Sequence, residues 1–407
     1  MSFLRRIGSV LLCLVVVACS PPRLVPELPN EVAAKADAVM DVVREFMAQA
    51  HLKAAIVRVT INRQEVVTQA VGESMTGVPA APTMHFRNGA VAISYVAALL
   101  LKLVDEKKVK LDDKLSKWLP DFPHADRVTL EQLAQMTSGY PDYVLGNDAF
   151  ANELYGNPFR HWTTQDILGQ ISSRPLLYEP GTNWNYAHTN YILLGLALEK
   201  ATGQDMATLL QRKVLAPLGL TATFNSDTAA IPEPALHAFT SERRESLKIP
   251  AGVPFYEDST YWNPSWTITH GAIQTTTIYD MTTTAVGIGS GKLLSPDSYK
   301  KMVSTELRGK THAQPGCPTC SEQSDGYTYG LGIVITGNWL MQNPMFAGTS
   351  AVEAYLPSQK VAIAVAVTYA PEAFDAQGNY SNQAEMLFRK IGAVVAPKDA
   401  PPMPPGR

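Results

Sequence analysis

The sequence predicts an α+β fold, an antiparallel sheet flanked by helices with a mostly helical domain inserted into it. Three observations lead there. Strand-like runs lie at both ends of the chain: Val57, Val59 and Ile61 with Val67, Gln69 and Val71 near the start, and residues 329–335, 352–356 and 361–367 near the end. Helical patterns dominate the middle, so one sheet must be assembled from remote segments around an insertion. The chain has 407 residues and is 46% hydrophobic, enough for a large core in one module or two closely packed domains.

The first residues concern export. Arg5 and Arg6 precede an apolar run of about eleven residues, from Ile7 to Val17, which has the size of a signal-peptide core and is too short to span a bilayer as a helix. Val16-Val17-Ala18-Cys19 closes it and is similar to the bacterial lipoprotein processing box. Residues 1–18 are therefore expected to be removed and Cys19 lipidated, which places the protein outside the cell, lipid-anchored in a bacterial envelope. The alternative is an ordinary secretory signal beside an incidental cysteine. Loss of Arg5 and Arg6 takes the net charge from −3 to −5, a balance that argues against nucleic acid.

Residues 19–30, with four prolines after Cys19, read as an extended tether. From residue 31 to 50, Val32, Val39, Met40, Val43, Phe46 and Met47 recur at helical spacing. The two alternating strands follow, separated by the turn Asn62-Arg63-Gln64-Glu65. The segment 90–107 is apolar nearly all round, as a helix buried on every side must be. Thr129 with Gln132 predicts a reciprocally capped helix start. Between 163 and 227, Pro180-Gly181, Gly203 and Pro217-Leu218-Gly219 punctuate helices, and a polar, aromatic-rich loop region follows. A last amphipathic helix spans about 381–394. The predicted domains are a sheet domain of 31–110 with 271–395, a helical insertion of 111–270, and a tail, 396–407, whose five prolines predict disorder.

Cys317-Pro318-Thr319-Cys320 remains once Cys13 leaves with the leader and Cys19 is set aside. In an exported protein this proline-flanked C-x-x-C reads most simply as a loop disulfide. A zinc site would need more ligands than nearby His312, and a redox role would need a helix start that this loop lacks.

The functional reading rests on motif-like passages. Phe86-Arg87-Asn88-Gly89-Ala90-Val91-Ala92-Ile93, running into an apolar helix, resembles the F-R-x-G-S-x-x-K of serine β-lactamases, DD-peptidases and related esterases. Leu111-Asp112-Asp113 with Leu119-Pro120, and Met136-Thr137-Ser138-Gly139, resemble that family's L-D-D-x-x-x-x-x-L-P and H-T-S-G, with Met136 in place of the histidine. Gly271-Ala272-Ile273-Gln274-Thr275-Thr276, Asp280-Met281 and Gly291-Lys292-Leu293-Leu294-Ser295 are similar to its return to the sheet. Tyr186-Ala187-His188 matches its Y-x-N. The resemblance covers most of 86–367 and implies a β-lactamase/transpeptidase-like fold with a cleft between sheet and helices.

It also implies what is missing. The family's nucleophilic serine and its base, a lysine one helical turn on, are here Ala90 and Ile93. Alanine has no oxygen to activate and isoleucine no amine to take its proton. An interior lysine without that task costs several kcal/mol of desolvation, whereas isoleucine gains roughly 2 kcal/mol of burial. Tyr186 keeps the place of the family's proton-moving tyrosine, or is a half-buried aromatic bonding its loop. His188 stands for the amide-touching asparagine and reads as a hydrogen-bonded wall residue, with an acid–base role as the alternative. The third motif, K-T-G or H-x-G, is placed at Phe346-Ala347-Gly348-Thr349-Ser350-Ala351, which brings a glycine (Gly348) and hydroxyls (Thr349) but no cation. Neither Ser298-Tyr299-Lys300-Lys301, in a polar helix start, nor Ser94 replaces the nucleophile.

The expectation is therefore a scaffold without acyl-enzyme chemistry that binds an envelope peptide, a small molecule or a protein partner in the old cleft. The alternative is a weakly active esterase- or peptidase-like hydrolase working through water, with Tyr186 and His188 as acid and base. No cofactor or metal is called for, and the membrane is reached only through the lipid.

Overall fold

The computed structural model describes residues 30–250 and 252–403, so the expected leader, Cys19, the tether and residues 404–407 lie outside the described residues. Helix α1 (Asn30–Gln49) turns Val39, Val43 and Phe46 inward. Strands β1 (Leu52–Ile61) and β2 (Gln64–Met75) form a hairpin whose two turn residues, Asn62 and Arg63, both have positive φ, 49° and 65°. That conformation matches the right-handed twist of the flanking strands. Short β3 (Val78–Pro79) and β4 (Phe86–Arg87) lead into α2 (Val91–Asp105), in which every residue from Val91 to Leu101 is buried.

The helical layer comprises α3 (Leu130–Ala134), α4 (Asp148–Gly156), α5 (Thr164–Ile171), α6 (His188–Thr202), α7 (Met206–Leu210) and α8 (Ala216–Leu218). Thr129 caps α3 reciprocally: its hydroxyl accepts from the Gln132 N–H at 3.2 Å, and its own N–H donates to Gln132 Oε1 at 2.9 Å. Four short strands follow: β5 (Phe224–Asn225), β6 (Phe239–Thr240), β7 (Glu257–Asp258) and β8 (Gln274–Thr276). β8 pairs with both β4 and β5, which stitches the loop region after residue 222 to the segment that carries Ala90.

The chain then returns through α9 (Ile278–Gly289) and α10 (Pro296–Met302) to β9 (Thr328–Tyr329), β10 (Val334–Thr336), β11 (Trp339–Gln342), β12 (Met345–Phe346), β13 (Thr349–Leu356), β14 (Val361–Tyr369) and α11 (Gln383–Val395). The main sheet runs β3-β2-β1-β14-β13-β11-β10-β9, with β12 a hairpin on β13, and its pairings are antiparallel. Register Val57↔Val365 joins the two ends of the chain at its centre. α1 and α11 cover one face and α9 the other, while α2 packs among α6, α7 and α10.

Two expectations are corrected. The run 329–335 is not one strand. Gly330 N–H bonds Ile333 O, and Gly332 turns at φ 67° against α2, where a Cβ would sit 2.4 Å from the Ala97 methyl. Residues 396–403 are held by partners on β11, the turn before it and α11: Trp339 Nε1 donates to Asp399 O at 2.7 Å, Asn338 to the Asp399 carboxylate at 2.8 Å, and Arg389 to Pro402 O.

Candidate functional site

Ala90 is the N-cap of α2, half-buried, at the end of a turn fixed from both sides. Asn88 N–H donates to Gln274 O on β8 at 3.1 Å, and Gly89 lies so close to Pro344 that a Cβ there would come within 2.6 Å of the proline ring. No hydroxyl stands at the helix start. Ile93, one turn on, is 3% exposed and packs in the main core cluster. The backbone N–H of Ala90 makes no hydrogen bond to another described residue, so the positive end of a 15-residue helix keeps a donor for a carbonyl or carboxylate oxygen.

Tyr186 and His188 are delivered by a loop braced against the Met136–Asp142 passage. Asn185 donates to Tyr140 O at 3.2 Å, Ser138 donates to the Asn190 side chain at 2.5 Å, and Thr189 donates to Pro141 O at 2.7 Å. Asp142, 3% exposed, is the residue the sequence reading missed. Its carboxylate accepts from His188 Nδ1 at 3.1 and 3.0 Å, from the His188 N–H at 3.2 Å and from the Val144 N–H at 3.1 Å. A carboxylate only accepts, so Nδ1 carries the proton and Nε2 is the ring nitrogen left without a partner among the described residues. The only sequence signal was a polar residue in Tyr140-Pro141-Asp142, which reads as an ordinary turn.

The Tyr186 ring meets His188 edge to face, centroids 5.2 Å apart at 89°. His188 in turn meets Trp266 at 6.0 Å, and Trp266 stacks on Phe346 at 5.9 Å and 22°. All four are half-buried, and together they form a continuous aromatic wall. Burial and the Asp142 charge raise the Tyr186 phenol well above its ordinary value, which keeps it a proton donor.

The third-motif passage runs from β12 into β13, with Phe346 on the aromatic wall. Gly348 donates its N–H to the Tyr380 hydroxyl at 2.8 Å, and a Cβ on it would reach 2.0 Å from Phe239 O, while Thr349 starts β13 opposite Thr368. Pro344, after Gln342 at the end of β11, is what faces Gly89. A cation does stand nearby: the Arg87 guanidinium lies 5.8 Å from the Phe346 ring. It is committed to Ser226 Oγ, Ala229 O and Trp262 O, and burial lowers its pKa to about 10.

The other serines stay out of play. Ser94 donates to Val91 O at 2.7 Å. Ser298 is buried rather than exposed, donating to Asp105 at the far end of α2, and Lys301 pairs with Glu131. Cys317 and Cys320 are bonded to each other, and their loop forms the lip of the site, Thr319 O accepting the Tyr186 N–H at 3.4 Å.

Residues 39–387 match the Beta-lactamase family. The chain belongs to that family. Among curated relatives of this Beta-lactamase-family protein are penicillin-binding protein 4* of Bacillus subtilis, 33% identical over 31% of this chain and 27% of that one, and esterase EstB of Burkholderia gladioli, 30% identical over 46% and 50%. The chain thus matches about a quarter to a half of these relatives' length. A D-amino acid amidase from Ochrobactrum anthropi SV3, complexed with L-phenylalanine, superposes with a TM-score of 0.73 at 17% identity over 89% of this chain and 99% of that chain. A D-stereospecific amidohydrolase from a Streptomyces species gives 0.69 at 22% identity over 91% and 99%. At those identities the likeness is one of fold.

Within this family fold, the site offers one backbone donor, one phenol, one carboxylate-held imidazole and an aromatic wall. At positions 90 and 93 it has an alanine and an isoleucine, neither of which carries a hydroxyl or an amine.

Proposed function

We propose that this Beta-lactamase-family protein has given up acyl-enzyme chemistry and binds an envelope peptide in the cleft at the start of α2, with Cys19 lipidated to hold it at the membrane. The observation that carries the proposal is Ala90 at the helix start with Ile93 buried behind it. A ligand carbonyl or carboxylate takes the Ala90 N–H, an apolar side chain lies on Trp266 and Phe346, and His188 Nε2 and the Tyr186 hydroxyl bond its polar backbone. Relatives named for penicillin binding and as an esterase, and a structural neighbour named as a D-amino acid amidase, make a short peptide ending in a D-residue a reasonable probe class.

The test uses the intact chain. Incubated with a reporter β-lactam, it should show no mass increase, while D-phenylalanine amide should bind with a change in tryptophan fluorescence that Trp266→Leu abolishes. A covalent adduct on the wild-type chain overturns the reading. Palmitate labelling that persists in Cys19→Ser would remove the anchor from it.

A second reading is favoured by one observation, the Asp142–His188 hydrogen bond, which is how a general base is held in many hydrolases. Water would then be the nucleophile. A p-nitrophenyl ester turned over by wild type and not by His188→Ala would select this reading over the first.

A further inference from the structure

Away from the cleft, on the α9 face of the sheet, a recess of about 230 Å³ is lined by Arg58, Thr60, Arg63, Thr282, Thr283 and Lys292, with Leu218 and Val286 as its apolar wall. We propose that this recess is a binding site for a small phosphate-class oxyanion that also carries a hydroxyl, such as a glycerol phosphate. The chain as a whole is acidic, at −3, yet this lining holds three cations and no carboxylate. The volume falls below the ~300–1,000 Å³ of drug-sized sites, which favours a small ligand.

The cations divide the work. Arg58 is fixed by Glu65, by Thr68 Oγ1 at 2.6 Å and by the Tyr279 ring 4.8 Å below it, so its charge is largely answered. Arg63, at the hairpin turn, makes no ion pair or hydrogen bond to another described residue. Lys292 uses one donor on Pro217 O at 2.9 Å and keeps two. Arg63 and Lys292 thus leave about two positive charges at a recess whose lining also holds the unpartnered Thr60 hydroxyl.

Thr60 is the independent sign of a ligand. It is 3% exposed, and its hydroxyl has no partner, although buried hydroxyls are nearly always bonded. The β1–β2 register slips where β2 carries Val66 as an extra residue, so β1 keeps its alternation and Thr60 shares its face with Arg58. An oxyanion oxygen would satisfy that O–H. Thr282 and Thr283 donate to Ile278 O at 2.8 Å and Tyr279 O at 3.0 Å, and so remain only acceptors, which calls for an O–H on the ligand beside its charge. Leu218 and Val286 would meet its carbon part.

One chemistry has two sources here, a soluble phosphate ester or the phosphoglycerol headgroup of a lipid. Calorimetric titration of the full chain with sn-glycerol 3-phosphate at low salt should show binding that weakens as salt rises. Arg63→Ser with Lys292→Ser should weaken it at least tenfold, Thr60→Val severalfold without lowering the melting temperature, and Lys310→Ser, a surface charge control, not at all. Tighter binding of dihexanoyl phosphatidylglycerol than of glycerol 3-phosphate assigns the site to lipid headgroups, and the reverse order to soluble esters. No binding of glycerol 3-phosphate, inorganic phosphate or the short-chain lipid, or equal loss in the Lys310→Ser control, overturns the proposal. Neither outcome bears on the cleft at Ala90.

Discussion

Asp142 grips His188 three ways: both carboxylate oxygens reach Nδ1, at 3.1 and 3.0 Å, and one of them also accepts the histidine's own N–H at 3.2 Å. The imidazole is therefore fixed in position and in tautomer by a residue 46 positions earlier in the chain. The carboxylate also accepts from Val144, so it closes the 142–144 turn and starts α6 at once. Asp142→Ala strands two backbone N–H groups and should cost roughly 3 kcal/mol, since each lost partner of a buried donor costs ~1–3 kcal/mol. Asp142→Asn keeps an acceptor oxygen and should cost less than half as much. Denaturant unfolding of the two variants checks this, and equal losses would mean that charge rather than acceptance holds the turn.

Ile93 sets the second prediction. It is 3% exposed, while Ala90 is half-buried at the helix start. Restoring Ala90→Ser alone should move stability by no more than ~0.5 kcal/mol. Adding Ile93→Lys buries an amine without a counter-charge and should cost roughly 3–5 kcal/mol, lowering the melting temperature sharply. A double variant that melts with wild type would show that the space at 93 still suits an amine.

Periodicity and caps made the local structure legible: the α1 spacing, the hairpin alternation, the all-apolar α2 and the Thr129–Gln132 cap each depend on residues within a turn or two of one another. What the sequence concealed depends on distant partners. Asp142 looks like a turn residue until α6 brings His188 to it. Gly348 has the glycine and hydroxyl neighbours of the expected motif, yet Pro344, which carries no chemical signal, is the residue on Gly89. Trp266 comes from the loop before β8 and Phe346 from β12, and they become a wall only by stacking. The tail composition predicts disorder, and Trp339 and Arg389 on the sheet and α11 override it.

Glu353 on β13 gives a pH dependence. It is 1% exposed, one of its carboxylate oxygens has no partner, and burial raises its pKa from 4.5 to about 8. A carboxyl whose pKa is higher folded than unfolded binds its proton more tightly in the native state. Its contribution is complete below pH 4.5 and is lost as pH rises through about 8. Wild type should therefore lose melting temperature between pH 5 and 9 relative to Glu353→Gln, which stays neutral throughout. Parallel curves for the two proteins would show that Glu353 is charged in the folded state.

The loop closed by Cys317 and Cys320 touches the site through Thr319 O, which accepts the Tyr186 N–H, and through the pairing of Cys320 with Asn185. A bond between residues only three apart removes little freedom from the unfolded chain, at most ~2 kcal/mol on loop-closure arithmetic. Its local effect is larger in consequence, since it holds the strip of backbone on which Tyr186 rests. Cys317→Ser with Cys320→Ser should therefore lose less than ~2 kcal/mol in denaturant unfolding. The same variant should bind D-phenylalanine amide more weakly and show faster amide exchange at Tyr186. If stability falls by more than that while exchange at Tyr186 is unaltered, the bond serves the fold as a whole and not the tyrosine loop.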